Sequence, residues 1–226
     1  VRFMLKLRKS YSVVNAVENA VRMDDELWSP LTSQVDGLDV IHAGHGNPGA
    51  RLDSAKIRLL INFLRWRYGV LCFDLSGNLE QYSIDIMLES KHIFLVTTPE
   101  LPALHLARQK LDFLASYDLA GRVSLLLNRE HKRAAVPRHE VEDILGLGIH
   151  AAFPNDYAGV HLAAEEGRPV DPLSGLGRQA AILAAWMAGA ELETSPTQPP
   201  PRRFIEFFFI PGPADRAAVR RHRVAG

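Results

Sequence analysis

The sequence predicts an α/β protein with a mostly parallel sheet that helices cover on both faces. Short apolar runs alternate with segments of helical periodicity between residues 37 and 188. Strands that alternate with helices of this length are joined by crossover connections, which make neighbouring strands parallel. Several of the apolar runs end in polar residues, and α/β proteins bind their ligands at the carboxyl edge of such a sheet.

The run at residues 68–78 is the centre of this prediction. It is apolar, bounded by glycines and too short for a core helix, so we expect a fully buried parallel strand with Asp74 at its carboxyl end. Ser76 and Gly77 then allow a tight turn, which gives the form of an Asp-x-x-Gly loop that senses a terminal phosphate through a metal ion. The alternative is an ordinary turn in which Asp74 caps the next helix. Cys72 lies inside the predicted strand, which favours an inert core thiol.

The other elements follow from the period of the apolar residues. Spacings of three and four predict helices, and short continuous apolar runs predict buried strands. Before the central run we expect a helix or helix pair at 11–28, a strand at 37–44, a loop at 44–49 and a helix at 53–67. After it we expect helices at 79–89, 99–114, 137–145, 158–166 and 174–188, and strands at 92–98, 122–129 and 149–153.

Composition divides the chain into a domain at residues 1–193 and a tail at 194–226. The 226 residues carry 26 basic and 26 acidic side chains, so the formal net charge is zero and no overall field attracts nucleic acid. The tail opens with a Pro-rich linker. It contains six arginines and only two acidic residues, Glu206 and Asp215. We expect a flexible, disordered Pro/Arg-rich tail, with a membrane or partner contact through its aromatic residues as the alternative.

Cysteine and histidine usage exclude two further classes of protein. A single cysteine rules out a disulfide framework and fits a reducing cytosol. The nine histidines, among them the nearby His42 and His45, have no spacing typical of metal ligands, so scattered surface histidines are expected. No apolar run is long enough to span a bilayer, and the charged opening residues do not form a signal peptide.

Four strand ends carry a resemblance to a known family. They are Asp74, residues 97–100, the pair Asn128 and Arg129, and residues 153–156. In this order they resemble the MinD/ParA superfamily of P-loop ATPases, and most closely its CpaE/TadZ branch, which is associated with assembly of Flp/Tad pili and polar localisation. The resemblance runs from about Leu7 to Gly189.

The resemblance implies ATP and Mg²⁺ as ligands of the intact protein. Asp74 matches the family's acidic residue that holds magnesium through water and helps to position the attacking water, so it would be both the catalytic and the metal-binding residue. Asn128, followed by Arg129, matches the strand end where an asparagine recognises adenine. Pro154, Asn155 and Asp156 match the loop that closes over the base. Residues 98–100 would begin the helix near a homodimer interface.

One departure from the family concerns the phosphates. The sequence contains no Gly-x-x-x-x-Gly-Lys-Ser/Thr and no variant with an additional early lysine. Because the triphosphate lacks its cradle and counter-charge, we expect this chain to bind ATP weakly or not at all and to be unable to hydrolyse it. The expectation is a C-terminal portion of a longer protein or a truncated gene, with an N-terminal receiver-like domain suggested by the CpaE resemblance. Loss of the inner P-loop strand would leave neighbouring apolar strands unpaired or in a new register.

Three functions remain open from the sequence. The preferred one is part of a CpaE/TadZ-like ATPase, a cytoplasmic dimerising switch that partners pilus-assembly or polar-localisation proteins, at the cell pole or peripheral to the inner membrane. The second is a nucleotide-independent scaffold of the same fold. The third is a chromosome- or plasmid-partitioning ATPase, which would need a basic nucleic-acid surface outside the tail that the sequence does not show.

Overall fold

The computed structural model describes residues 4–35, 37–43, 52–131 and 136–189. Short 3₁₀ turns lie at Ala20–Arg22 and Ala120–Arg122. The strands in these ranges are β1 (Ser33–Val35), β2 (Leu38–Val40), β3 (Ile93–Thr97), β4 (Val123–Glu130) and β5 (Ile149–Pro154). The helices are α1 (Val13–Glu18), α2 (Asp25–Leu31), α3 (Ser54–Arg67), α4 (Gln81–Glu89), α5 (Leu101–Ser116), α6 (Arg138–Leu145), α7 (Tyr157–Glu166) and α8 (Gly175–Met187).

The main sheet is parallel and has the order β3-β4-β5. Ile93 pairs with Val123 at one end of the β3–β4 ladder, and Thr97 pairs with Leu127 at the other. α5 connects β3 to β4, and α6 connects β4 to β5. Such helices are needed because the chain has to return from the carboxyl end of one strand to the amino end of the next parallel strand. The predicted α/β fold is therefore confirmed, and the carboxyl ends of all three strands lie on one rim.

Helices cover both faces of this sheet. On one face Leu125 and Leu127 of β4 pack against Leu104 of α5 and against Val141 and Leu145 of α6. Side chains alternate between the faces of a strand, so Phe94 of β3 lies on the opposite face. There its ring centroid is 6.1 Å from that of Trp186 in α8.

The segment before the main sheet forms a second apolar cluster around α3. Ile57, Leu60, Ile61 and Leu64 recur at helical spacing and are all buried against α1 and α2. Asp53 caps α3 by accepting a hydrogen bond from the amide of Ala55 at 2.8 Å. The predicted helix at 11–28 is thus a helix pair, α1 and α2.

The strand predicted at residues 37–44 is wrong in its extent and in its sheet. Only Leu38–Val40 is a strand, and it pairs antiparallel with Ser33–Val35 in a separate hairpin. Gly37, with φ at +82°, lies in the turn that reverses the chain. The pairing is local because the two three-residue strands are adjacent in sequence. The predicted loop at 44–49 lies outside the described residues.

The strand predicted around Asp74 is also wrong. Residues 69–75 form no ladder with any described strand, and their side chains alternate between half-buried Leu71, Phe73 and Leu75 and exposed Val70, Cys72 and Asp74. This period of two is that of a strand with one face on a core. The run thus has the side-chain pattern of a strand but no partner strand among the described residues.

Candidate functional site

The candidate site lies on the rim where β4 and β5 end. Glu130 of β4 is opposite Pro154 of β5, and the amide of Asn155 donates a hydrogen bond to the carbonyl oxygen of Glu130 at 3.0 Å. Asn128 and Arg129 immediately precede Glu130, so the structure brings them next to Pro154 and Asn155. The rim thus collects five of the six residues predicted for the site, namely Asn128, Arg129, Pro154, Asn155 and Asp156.

A β-bulge in β4 sets the direction of these side chains. Leu127 is opposite Ala152 and Glu130 is opposite Pro154, so β4 advances three residues while β5 advances two. Arg129 has φ at +55°, a left-handed conformation that is uncommon outside glycine. Bulges of this kind re-aim side chains and occur often beside binding sites. No local signal in the sequence predicts this bulge, because arginine does not favour positive φ.

Asn128 is half-buried at the bulge, and one of its side-chain atoms already has a partner. Its Oδ1 accepts a hydrogen bond from the amide of Arg129 at 2.9 Å. This contact orients the side-chain amide through Oδ1, and Nδ2 remains as the donor of the same amide group. A purine base presents ring nitrogens that accept hydrogen bonds, so the side chain suits one edge of such a base.

An ion pair next to the bulge fixes the start of α6. Arg138 donates through Nε and Nη2 to the two carboxylate oxygens of Glu130, with the Nη2–Oε2 distance at 2.5 Å. This bidentate pairing lowers the pKa of Glu130 and raises the pKa of Arg138. It joins β4 to the helix that follows, so it stabilises the shape of the rim. The sequence did not predict this pair, because residues 130 and 138 lie on either side of a polar loop.

Asp156 has a structural role at the rim. Its Oδ1 accepts a hydrogen bond from the amide of Gly159 at 3.0 Å and thereby caps the amino end of α7. Gly159 has room for this carboxylate because it has no side chain, and an added Cβ would lie 2.8 Å from Cγ of Asp156. Asp156 therefore positions the loop after β5 through this cap.

Asp74 is not brought to this cluster. In the described residues it has no hydrogen bond or ion pair, and none joins it to Asn128 or Asn155. The nearby Gly77 is held by its carbonyl oxygen, which accepts a hydrogen bond from Nζ of Lys110 in α5. The segment that carries Asp74 also forms no ladder with a described strand.

Cys72 is exposed, contrary to the prediction of a core thiol. Partial desolvation of its sulfur, followed by the negative charge of Asp74, raises its pKa. A raised pKa keeps the thiol protonated, and the thiolate is the nucleophile. The raised pKa disfavours the thiolate, but the exposed position of Cys72 is different from the buried one predicted.

An open groove runs along the outer edge of β3. Among the described strands β3 pairs only with β4, and the groove between its other edge and α5 has a volume of about 260 Å³. Val96 is 57 % exposed in it, a high value for a valine in a sheet. Its lining is mostly apolar and includes Leu95, Val96, Thr97, Ala103, Leu106 and Lys110. The sheet therefore has room for a further strand on the side of the Asp74 segment.

The residues present do not fit a magnesium–triphosphate group. No three His, Cys, Asp or Glu side chains within residues 4–35, 37–43, 52–131 and 136–189 form a cluster that could hold a metal ion. The sequence has no lysine-bearing glycine loop for the phosphates. The described part of the rim therefore has no cluster of side chains for the metal ion. In the same ranges no helix is long and apolar enough to cross a membrane.

The fold is that of the α/β proteins, a class that binds its ligands at the carboxyl edge of the parallel sheet. Among solved structures the chain is similar to a ParA family ATPase from Chlorobium tepidum TLS, with a TM-score of 0.75 and 19 % identity over 80 % of this chain and 78 % of that one. It is also similar to the MinC:MinD cell division complex of Aquifex aeolicus, with a TM-score of 0.67 and 18 % identity over 88 % and 81 % of the two chains.

A third similar structure contains a nucleotide. It is the septum site-determining protein MinD of Pyrococcus horikoshii OT3 complexed with Mg-ADP, with a TM-score of 0.66 and 19 % identity over 85 % of this chain and 81 % of that one. No family model and no curated protein matches the sequence. The likeness establishes the fold, so the chain has the fold of the ParA/MinD P-loop ATPases.

Proposed function

We propose that this chain is part of a MinD/ParA-type nucleotide switch of the CpaE/TadZ branch. The observation that carries the proposal is the grouping of Asn128 with Asn155 on the rim of a sheet that is open at β3. Asn128 and Asn155 suit a purine base. The open edge of β3 is on the side where the family's P-loop strand would be required. Nucleotide binding would therefore depend on a strand and a glycine-rich, lysine-bearing loop that complete the sheet.

The completed protein would act as a dimerising switch. We propose a cytoplasmic homodimer that partners pilus-assembly or polar-localisation proteins, at the cell pole or at the inner membrane, with the tail at 194–226 as a second contact. The printed name of one similar structure, a MinC:MinD complex, supports the general idea that this fold binds protein partners. Residues 98–100, at the start of α5, would lie near the dimer interface.

A nucleotide-independent scaffold is the second candidate. It is favoured by the lack of a metal-ligand cluster in the described residues and by the lack of a described contact between Asp74 and the rim residues. A scaffold would need only its partner-binding surfaces. The two candidates differ in whether completing the sheet creates a nucleotide site.

Titration with fluorescent ATP separates the candidates. We expect no saturable binding to this chain and a dissociation constant below about 100 µM for a version extended by the missing strand and loop. In the extended version Asn128→Ala should weaken binding about tenfold, because one charge-neutral hydrogen bond to the base is lost.

Asn62→Ala is the matched control. Asn62 is exposed on α3, outside the rim, so this variant of the extended version should bind ATP like its parent. Equal binding by the chain with and without the extension would contradict the switch. Failure of both forms to bind ATP, with both folded, would favour the scaffold.

A further inference from the structure

The outward face of α3 combines unpaired positive charge with exposed apolar side chains. α3 contains Lys56, Arg58, Arg65 and Arg67 and no acidic residue. Arg67 pairs with Asp25, and Arg65 pairs with Glu89 at 3.1 Å. In the described residues Lys56 and Arg58 have no ion pair, so α3 carries two positive charges that the fold does not neutralise.

The apolar part of this face is Leu59 and Trp66. They are seven residues apart, or two helical turns, and therefore lie on one side of α3. Leu59 is 46 % exposed and Trp66 is 94 % exposed. Trp66 cannot turn inward, because the opposite side of α3 is already packed through Ile61 and Leu64 into the core. A tryptophan so exposed on a fixed helix indicates a contact surface.

Charged and apolar side chains are interleaved across this face. At 100° per residue, Lys56 lies on one flank of Leu59 and Trp66, and Arg58 lies on the other. The exposed Asn62 lies between Trp66 and Arg58. We call these five residues the α3 face. Lys56 and Arg58 thus lie on either side of the apolar pair Leu59 and Trp66. This arrangement matches a surface that has negative charge outside and apolar groups beneath.

We propose that the α3 face docks on an anionic lipid surface. Trp66 and Leu59 would enter at the level of the headgroups, where tryptophan is favoured in membranes. Lys56 and Arg58 would contact lipid phosphates, to which basic side chains near an anionic leaflet are attracted. The contact is shallow and reversible, because only two apolar side chains enter. This proposal goes beyond nucleotide switching and does not depend on it.

Vesicle binding by the full chain tests the proposal. We expect binding to vesicles of phosphatidylcholine with phosphatidylglycerol, weaker binding at high salt, and none to pure phosphatidylcholine. Lys56→Gln with Arg58→Gln should weaken binding about 30-fold, because each cation contributes about a fivefold gain near an anionic surface. Arg8→Gln with Lys91→Gln is the matched control, since both cations are exposed and lie outside α3.

Tryptophan fluorescence tests the apolar part of the contact. Trp28 is buried and Trp186 is packed between His92 and His150, so Trp66 should dominate a vesicle-induced blue shift. Trp66→Phe should abolish the shift, and Trp66→Ala should weaken binding. Leu173→Ala, which truncates a side chain that is 76 % exposed outside α3, is the matched control.

Three outcomes would overturn the proposal. One is that the chain does not bind the anionic vesicles, and another is that the Lys56/Arg58 variant binds them like the parent. The third is binding of poly-glutamate that the α3 variants abolish, without vesicle binding, which would assign the face to an acidic protein. The tail at 194–226 is the same in every variant, so its contribution cancels in these comparisons.

Discussion

Gly177→Ala is expected to destabilise the protein by about 3 kcal/mol. Gly177 lies in the first turn of α8, where its amide donates to Oγ of Ser174 at 2.9 Å. A Cβ at this position would meet the carbonyl oxygen of Asp171 and lie 2.7 Å from Cα of Pro172. Both neighbours are backbone atoms, so they can move only if the whole turn at 171–174 shifts. The usual gain of about 1 kcal/mol from Gly to Ala in a helix is therefore reversed.

Gly175→Ala in the same helix is the matched control. The nearest atom to a Cβ there is Cγ of Pro154 at 3.4 Å, an ordinary contact with a side chain. We expect this variant to stay within about 0.5 kcal/mol of the parent. Urea unfolding of both variants measures the difference, and equal stabilities would contradict the packing of α8 described above.

Leu125→Ala is expected to cost about 3 kcal/mol in the free energy of unfolding. Leu125 is fully buried at the centre of β4, between β3 and β5, and it packs against α5 and α6. Truncation leaves a cavity that helices on a paired sheet can fill only in part. Truncation of a side chain on β3 should cost much less stability, because this strand has an open edge among the described strands.

Val96→Ala is the informative control for this second prediction. Val96 is 57 % exposed on β3, so its truncation should change stability by no more than about 0.5 kcal/mol. A cost of more than about 1 kcal/mol for Val96→Ala would show that the outer edge of β3 is covered in solution. Chemical unfolding with the same denaturant for both variants gives the comparison.

The main sheet and its rim could be predicted from the sequence because their signals are local. β3, β4 and β5 are apolar runs that end in polar residues, and the helices between them show periods of three and four. Parallel pairing then places Asn128 and Asn155 on one edge without further information. The cap of α7 by Asp156 also follows a local rule, although the sequence suggested a ligand-binding role instead.

The Asp74 segment could not be predicted in the same way, because a strand exists only where a neighbour pairs with it. Leu71, Phe73 and Leu75 gave the apolar pattern of a buried strand, and the structure keeps their alternation without the ladder. The bulge at Arg129 was equally invisible, since it depends on register between β4 and β5. In both places the outcome depends on pairing between segments that are distant in sequence.

We propose above that a further strand belongs between β3 and the Asp74 segment and that adding it creates the nucleotide site. Amide hydrogen exchange on the chain as it stands tests this most directly. The amides at 69–75 should exchange close to the rate of an unpaired chain, while those of Leu125 and Leu127 in β4 stay protected. Protection at 69–75 as strong as in β4 would contradict the claim.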